Sequence, residues 1–368
     1  MPFADELIGR TTAEALTNAV RTAAPDAPLK ALRAATSALE PLSLRERSDL
    51  LRDALIEDLP GDYAAFARTV RAARDSGPEF SGWLIWPVTS AVAAKAVDEG
   101  TDEAFDDGLR LLAELTSRLT SEFAIRRLLN HDLDRALEAV ATWTASDDAD
   151  VRRLASEGTR PFLPWSARVP GILAEPRATL PVINALYRDE SEYVRRSVAN
   201  HLNDLSRRQP DLVVETAAAW LADPDDSTER VVRHGLRTLV KKGHPGALGL
   251  LGFAPAAIEV TGPRLAADGI TFGGTLSFTA TIRNTGPEPA RLAVDYIVHH
   301  RKANGTQTEK IFKLTTLTLE PGERFDIARD HSFRAITTRR YYPGTHAVEL
   351  QVNGIRSGRA EFTLLPPG

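Results

Sequence analysis

Three groupings of arginine and carboxylate in the 368-residue chain have the spacing of a helix face. In YVRRSVANHLNDLSR, residues 193–207, Arg196, Asn200 and Asp204 follow one another at intervals of four. VRRLASEGTRPFLPW, residues 151–165, repeats the order with Arg153 and Glu157. In SEFAIRRLL, residues 121–129, Glu122 stands just before Ile125, Arg126 and Arg127. Asn200, His201, Asn203 and Asp204 crowd short polar side chains into mid-helix, where they compete for backbone hydrogen bonds and lower helix propensity. Carboxylates gathered on one groove repel phosphate, so their use would be to stabilise a cation or to activate water. A solvated helix face with an intrahelical ion pair would show the same row. Trp165, framed by prolines in GTRPFLPWSARVP, is not placed by helical periodicity. It either plugs the loop or offers an aromatic face to a cation or sugar.

The elements that must carry these residues change character along the chain. Up to about residue 252, Ala, Leu, Arg and acidic residues recur at helical spacing. EAFDDGLRLLAELTSRL puts Phe105, Leu109, Leu112, Leu115 and Leu119 on one stripe. Within this half, DDADVRRLASEG (147–158), DESEYVRRSVANHL (189–202) and DDSTERVVRHGLRTL (225–239) share an acidic opening, a Val-Arg step and a helix. Val151, Val194 and Val232 align at roughly 40-residue intervals, the period of two-helix HEAT units, and SEFAIRRLL resembles a degenerate fourth copy. Stacked pairs of this kind form a solenoid with a long concave face suited to an extended partner. From residue 256, segments such as LSFTATIRNTG, RLAVDYIVHH and THAVELQVNG alternate apolar and polar residues between Gly, Pro and Asn. The expectation is a mainly α chain: a HEAT-like α-solenoid over residues 1–252, then an all-β immunoglobulin-like sandwich over 256–368.

Composition narrows the function classes. With 43% hydrophobic and 26% charged residues the chain is an ordinary globular one, and its formal net charge of −5 does not advertise nucleic-acid binding. The absence of cysteine removes disulfides, thiolate nucleophiles and cysteine-ligated metal centres, and suits a reducing cytoplasm. MPFADELIGRTTAEAL lacks the pattern of a signal peptide, and no apolar run approaches ~18 residues, so no membrane partner is expected. The adjacent histidines of VHHRK (298–302) alternate across a strand and are expected not to be metal ligands.

FSGWLIWPVT (80–89), SEFAIRRLL, VRRLASEGTRPFLPW and YVRRSVANHLNDLSR together resemble the HEAT-like-repeat alkylpurine DNA glycosylases, within them the AlkC branch. The motifs span roughly residues 80–250, and a solenoid followed by an immunoglobulin-like domain fits members of that branch. The resemblance implies monofunctional hydrolysis of the N-glycosidic bond of 3-methyladenine, together with 3-methylcytosine, in duplex DNA, without flipping the lesion into a pocket. It places the catalytic aromatic on Trp165 and the active-site acids on Glu122, Glu157 and Asp204. The implied partner is double-stranded DNA with alkylated bases, bound by a monomer, with neither cofactor nor metal. A base alkylated at N3 already carries positive charge and leaves without a general acid; what remains is to stabilise an oxocarbenium-like sugar and orient water.

DNA contacts are expected from Arg152, Arg153, Arg195, Arg196 and Asn200, with the first arginine of each pair the more structural because the Val-Arg step belongs to the repeat. Residues 256–368 carry 14 Lys/Arg against 11 Asp/Glu, a net of +3, concentrated in HHRK and TTRRYYPG. These read equally as DNA-facing loops or as charged strand edges that resist aggregation. Two rival readings keep the repeat without the hydrolysis: a protein-docking scaffold and a non-catalytic sensor of damaged DNA.

Overall fold

The computed structural model describes residues 6–337 and 339–366. Residues 1–5, where the stretch read as lacking a signal peptide begins, and position 338 within TTRRYYPG fall outside them. Among the described residues there are sixteen α-helices and eight strands. The first helices are α1 (Arg10–Ala23), α2 (Lys30–Ala38), α3 (Leu44–Asp58), α4 (Tyr63–Asp75), α5 (Ile85–Glu99) and α6 (Asp102–Thr116). The middle group is α7 (Ile125–His131), α8 (Leu133–Trp143), α9 (Ala149–Gly158), α10 (Pro170–Ala174), α11 (Leu180–Leu186) and α12 (Glu192–Leu205). Last come α13 (Pro210–Ala222), α14 (Thr228–Gly235), α15 (Arg237–Lys241) and α16 (Pro245–Leu250).

The expected repeat maps onto helices that pack side by side: α12 lies against α9 and against α14. The acidic openings have a local purpose. Asp148 accepts the Asp150 amide at 2.8 Å, Asp189 the Ser191 amide at 2.8 Å and Asp225 the Ser227 amide at 2.9 Å. Each aspartate thus turns the chain into its helix by satisfying an otherwise orphaned N–H. Phe105, Leu109, Leu112 and Leu115 are buried along α6, whereas Leu119 lies half-buried past its end. On α12, Val194, Val198, His201, Leu202 and Leu205 form the buried stripe. The helix stops at Leu205.

The strands are β1 (Ile258–Leu265), β2 (Gly269–Ile270), β3 (Thr275–Asn284), β4 (Ala290–Arg301), β5 (Gln307–Leu319), β6 (Arg324–Ser332), β7 (Gly344–Val352) and β8 (Ile355–Leu364). They form a three-stranded sheet, β1-β3-β6, and a five-stranded sheet, β2-β8-β7-β4-β5. Pairing is antiparallel apart from the two-residue β2–β8 contact. Alternating residues such as Phe278, Ile282, Leu292, Val294, Val348 and Leu350 fill the core between the sheets.

Helix gives way to strand between Leu250 and Ile258, but compactness divides the chain differently. One unit runs to Gln209 and includes Asp223–Gly235; the other comprises Pro210–Ala222 and the chain from Leu236 onward. Helices α13, α15 and α16 therefore go with the strands. Within that unit the turn after α15 meets the β7–β8 turn. A Cβ on Gly243 (φ 76°) would stand 2.5 Å from the Gly354 Cα, so only glycine fits. No helix among the described residues is long and apolar enough to cross a membrane.

Candidate active site

The end of α9, the loop after it, the turn before α7 and the end of α12 bring Glu122, Glu157 and Asp204 into one buried network. Glu122 accepts from the Thr120 hydroxyl at 2.8 Å and from the Arg153 guanidinium at 2.5 Å. Arg153 also lies 3.7 Å from Glu157. Glu157 is bound at 2.5 Å by Arg160, whose Nε donates to Asp204 at 3.0 Å. The order Glu122–Arg153–Glu157–Arg160–Asp204 alternates in sign and ends in a carboxylate on each side, three acids against two guanidinia. Burial works against the charge of Arg153 and Arg160, yet their carboxylate partners outweigh it and hold both pKa values above the ordinary arginine value.

Neutral groups fix the network from behind. Ser197 donates to Glu157 at 2.7 Å and sits 3.0 Å from the Ser156 hydroxyl. His201, fully buried, is pushed down to about 4, chiefly by burial. It is therefore a neutral imidazole at pH 7: Nδ1–H donates to the Ser156 carbonyl and Nε2 accepts from Thr179, each at 3.0 Å. His201 and Asp204, two of the four mid-helix polar residues, thus join this network.

Trp165 sits in a loop pinned at both ends. Arg126, 1% exposed, donates to the carbonyls of Gly158, Arg160 and Ala167, bracketing the tryptophan. Burial, with Arg168 and Arg160 nearby, lowers the Arg126 pKa to about 10. Arg45 donates to the Trp165 carbonyl. Trp165 is 58% exposed, and its backbone lies in the left-handed region at φ 56°. A bulky residue there is strained, and the surrounding hydrogen bonds hold it in place.

The residues expected to contact DNA differ in what already holds them. Arg152 grips Asp189 in a two-pronged pair at 2.7 and 3.1 Å and donates to the carbonyls of Ser146 and Asp147. Arg195 donates to the carbonyls of Asp189 and Glu190. Arg152 is buried and Arg195 half-buried, and each ties the start of its helix to the turn before it. Arg153 is internal too, held by Glu122 and Glu157 instead of facing solvent. Arg196, with its side chain 62% exposed, pairs with Glu192. Asn200 is half-buried and its Oδ1 lies 3.0 Å from His234 Nε2. The Arg196–Asn200–Asp204 row does not share one environment, because eight residues advance a helix about 80° beyond two full turns. It winds from solvent at Arg196 into the interior at Asp204.

Three other arginines, missed in the sequence, surround Phe162. The guanidinium carbons of Arg207, Arg168 and Arg208 lie 4.6, 5.0 and 6.0 Å from its ring centre. All three side chains belong to exposed residues. The doublet in LSRRQP and the lone Arg168 carry no helical periodicity, so only the fold brings them together.

Residues 113–232, which contain Glu122, Glu157, Trp165 and Asp204, match the family described as DNA alkylation repair enzyme. Residues 259–366 match the C-terminal Ig-like domain of the uncharacterised protein YhaZ. The uncharacterized protein YhaZ of Bacillus subtilis (strain 168) is 32% identical over 314 residues, 85% of each chain. The solved alkylpurine DNA glycosylase AlkC of Pseudomonas fluorescens, bound to DNA containing an abasic-site analog, is 33% identical. Its superposition covers 99% of this chain and 100% of that one, with a TM-score of 0.85. The chain belongs to the AlkC-type DNA glycosylases, enzymes of DNA alkylation repair.

In this AlkC-type chain the paired histidines of VHHRK part company across β4. His299 lies 3.0 Å from Glu349, while His300 enters the sandwich core beside His331, Phe333, Tyr341 and His346. No group of three or more His, Asp or Glu residues poised to hold a metal occurs among the described residues.

Proposed function

We propose that this enzyme hydrolyses the N-glycosidic bond of cationic N3-alkylated bases in duplex DNA: 3-methyladenine, and 3-methylcytosine as a second lesion. It acts as a monomer in the cytoplasm, and the lesion stays in the stack. The observation that carries the reading is the pairing of an exposed, strained Trp165 with a carboxylate-ended chain of buried charges in the same pinned loop and helix ends. Trp165, 58% exposed, is offered at the surface and not folded around an enclosed base pocket, which supports excision without flipping. The ring face attracts the cationic nucleotide and the developing positive charge on its sugar. Glu122, Glu157 and Asp204 add negative potential in surroundings where water screens it weakly, and one of them orients the attacking water. Because the base leaves as a neutral molecule, no proton has to be supplied to it. Arg196 and Asn200 remain the expected residues for DNA contact on α12.

Incubation with methylated duplex DNA, followed by chromatography of the released bases, tests this. Release of 3-methyladenine above a protein-free control, leaving abasic but uncut strands, is expected. No excess over the control overturns the reading.

A further inference from the structure

The geometry points to a phosphate clamp built from Phe162, Arg168, Arg207 and Arg208, which grips the DNA backbone next to the lesion. It rests on the function proposed above only in taking duplex DNA as the ligand. Three guanidinia around one neutral ring repel one another. None of the three has a carboxylate partner among the described residues within ion-pair distance. Surface arginines elsewhere in this helical unit commonly do, as Arg71 does with Asp107 and Glu114, and Arg127 with Asp98. A cation–π contact occupies none of a guanidinium's N–H donors, and these donors can bind a phosphate through two parallel hydrogen bonds. Arg168 also donates to the Leu163 carbonyl at 3.2 Å, which orients it towards the ring.

Position strengthens the assignment. Phe162 and Arg168 lie three residues to either side of Trp165 on the pinned loop, and Arg207 and Arg208 follow Asp204 by three and four residues. The clamp and the candidate catalytic groups are thus interleaved on the same two segments. Carboxylates at the interior end meet a cation while arginines at the exposed end meet the phosphates flanking it. That division also removes the conflict of placing acids beside a polyanion.

The test is binding of an undamaged duplex by the full chain across a range of salt concentrations. Replacing Arg168, Arg207 and Arg208 together by alanine should weaken binding and flatten the plot of log K against log salt by about 0.9 for each phosphate no longer neutralised. Arg110→Ala, which removes an exposed arginine of α6, should leave the slope unchanged. If the triple variant folds poorly, Arg168→Ala and Arg207→Ala singly should each still lower the slope by about 1. Wild-type slopes in these variants overturn the clamp. Because the duplex is undamaged, a missing base release sinks the glycosylase reading and leaves the clamp standing, whereas unchanged slopes with intact base release do the reverse.

Discussion

Replacing Trp165 separates an aromatic used in chemistry from one used in packing. The residue is 58% exposed, so roughly two-fifths of its surface is covered. At ~250 Å² for a tryptophan and ~25 cal/mol per Å², that burial is worth at most about 2.5 kcal/mol. A core tryptophan truncated to alanine costs about 3–5 kcal/mol. The backbone supplies a second, sharper discrimination. At φ 56° any residue with a Cβ pays about 1–2 kcal/mol that glycine avoids. Trp165→Gly should therefore be about as stable as Trp165→Ala or more so, the reverse of the usual order. Both variants lose the indole face and should lose excision alike, by about 30-fold if a desolvated cation–π interaction of about 2 kcal/mol is forfeited. Urea denaturation and single-turnover excision of 3-methyladenine, measured on both variants, give the answer. Alanine clearly outlasting glycine, or activity that follows the folded fraction, would refute the reasoning.

Asp204→Asn should remove most excision in a single-turnover assay while duplex affinity stays similar, because the lost charge matters most as positive charge develops. Arg160→Met should cost more stability than Asp204→Asn in chemical denaturation, since it removes the guanidinium of Asp204 and the nearer of two from Glu157, whereas the asparagine leaves Arg160 paired with Glu157. Arg152→Ala should destabilise by about 3–5 kcal/mol by stranding buried Asp189, yet leave the salt slope of DNA binding unchanged. Acid should weaken the fold: His201 is held near 4 by burial and takes up a proton on unfolding, so its contribution is complete above pH 6.5. That contribution, about 3 kcal/mol, is lost as pH falls from 6.5 towards 4, and urea midpoints across this range check it.

The parts of this protein that were legible in its sequence are those fixed by short-range pattern. Acidic openings, Val-Arg steps and apolar stripes placed α9, α12 and α14, and alternation placed strands such as β3, β4 and β7, because period and capping are written within a dozen residues. Strand β1, the two-residue β2 and the polar edge strand β6 carry weaker alternation and emerge only from pairing with their neighbours. The candidate site shows a different limit. Glu122, Glu157 and Asp204 were found through motif resemblance, but Arg160, which binds two of them, sits in a proline-bounded loop with no period to expose it. Helical spacing alone put Arg153 and Asp204 on a solvent-facing groove. It fails there because a buried charge and an exposed one have the same spacing, and only tertiary partners distinguish them. Arg153 is drawn inward by Glu122 from 31 residues away, and Arg152 by Asp189 from 37. The same reasoning explains Phe162: an aromatic between prolines declares nothing until a loop and a helix end bring three arginines to its ring. In this chain, then, the polar residues of α12 divide by what folds against them. Asp204 and His201 serve the interior network, and the exposed arginines just beyond Leu205 are left for an anion.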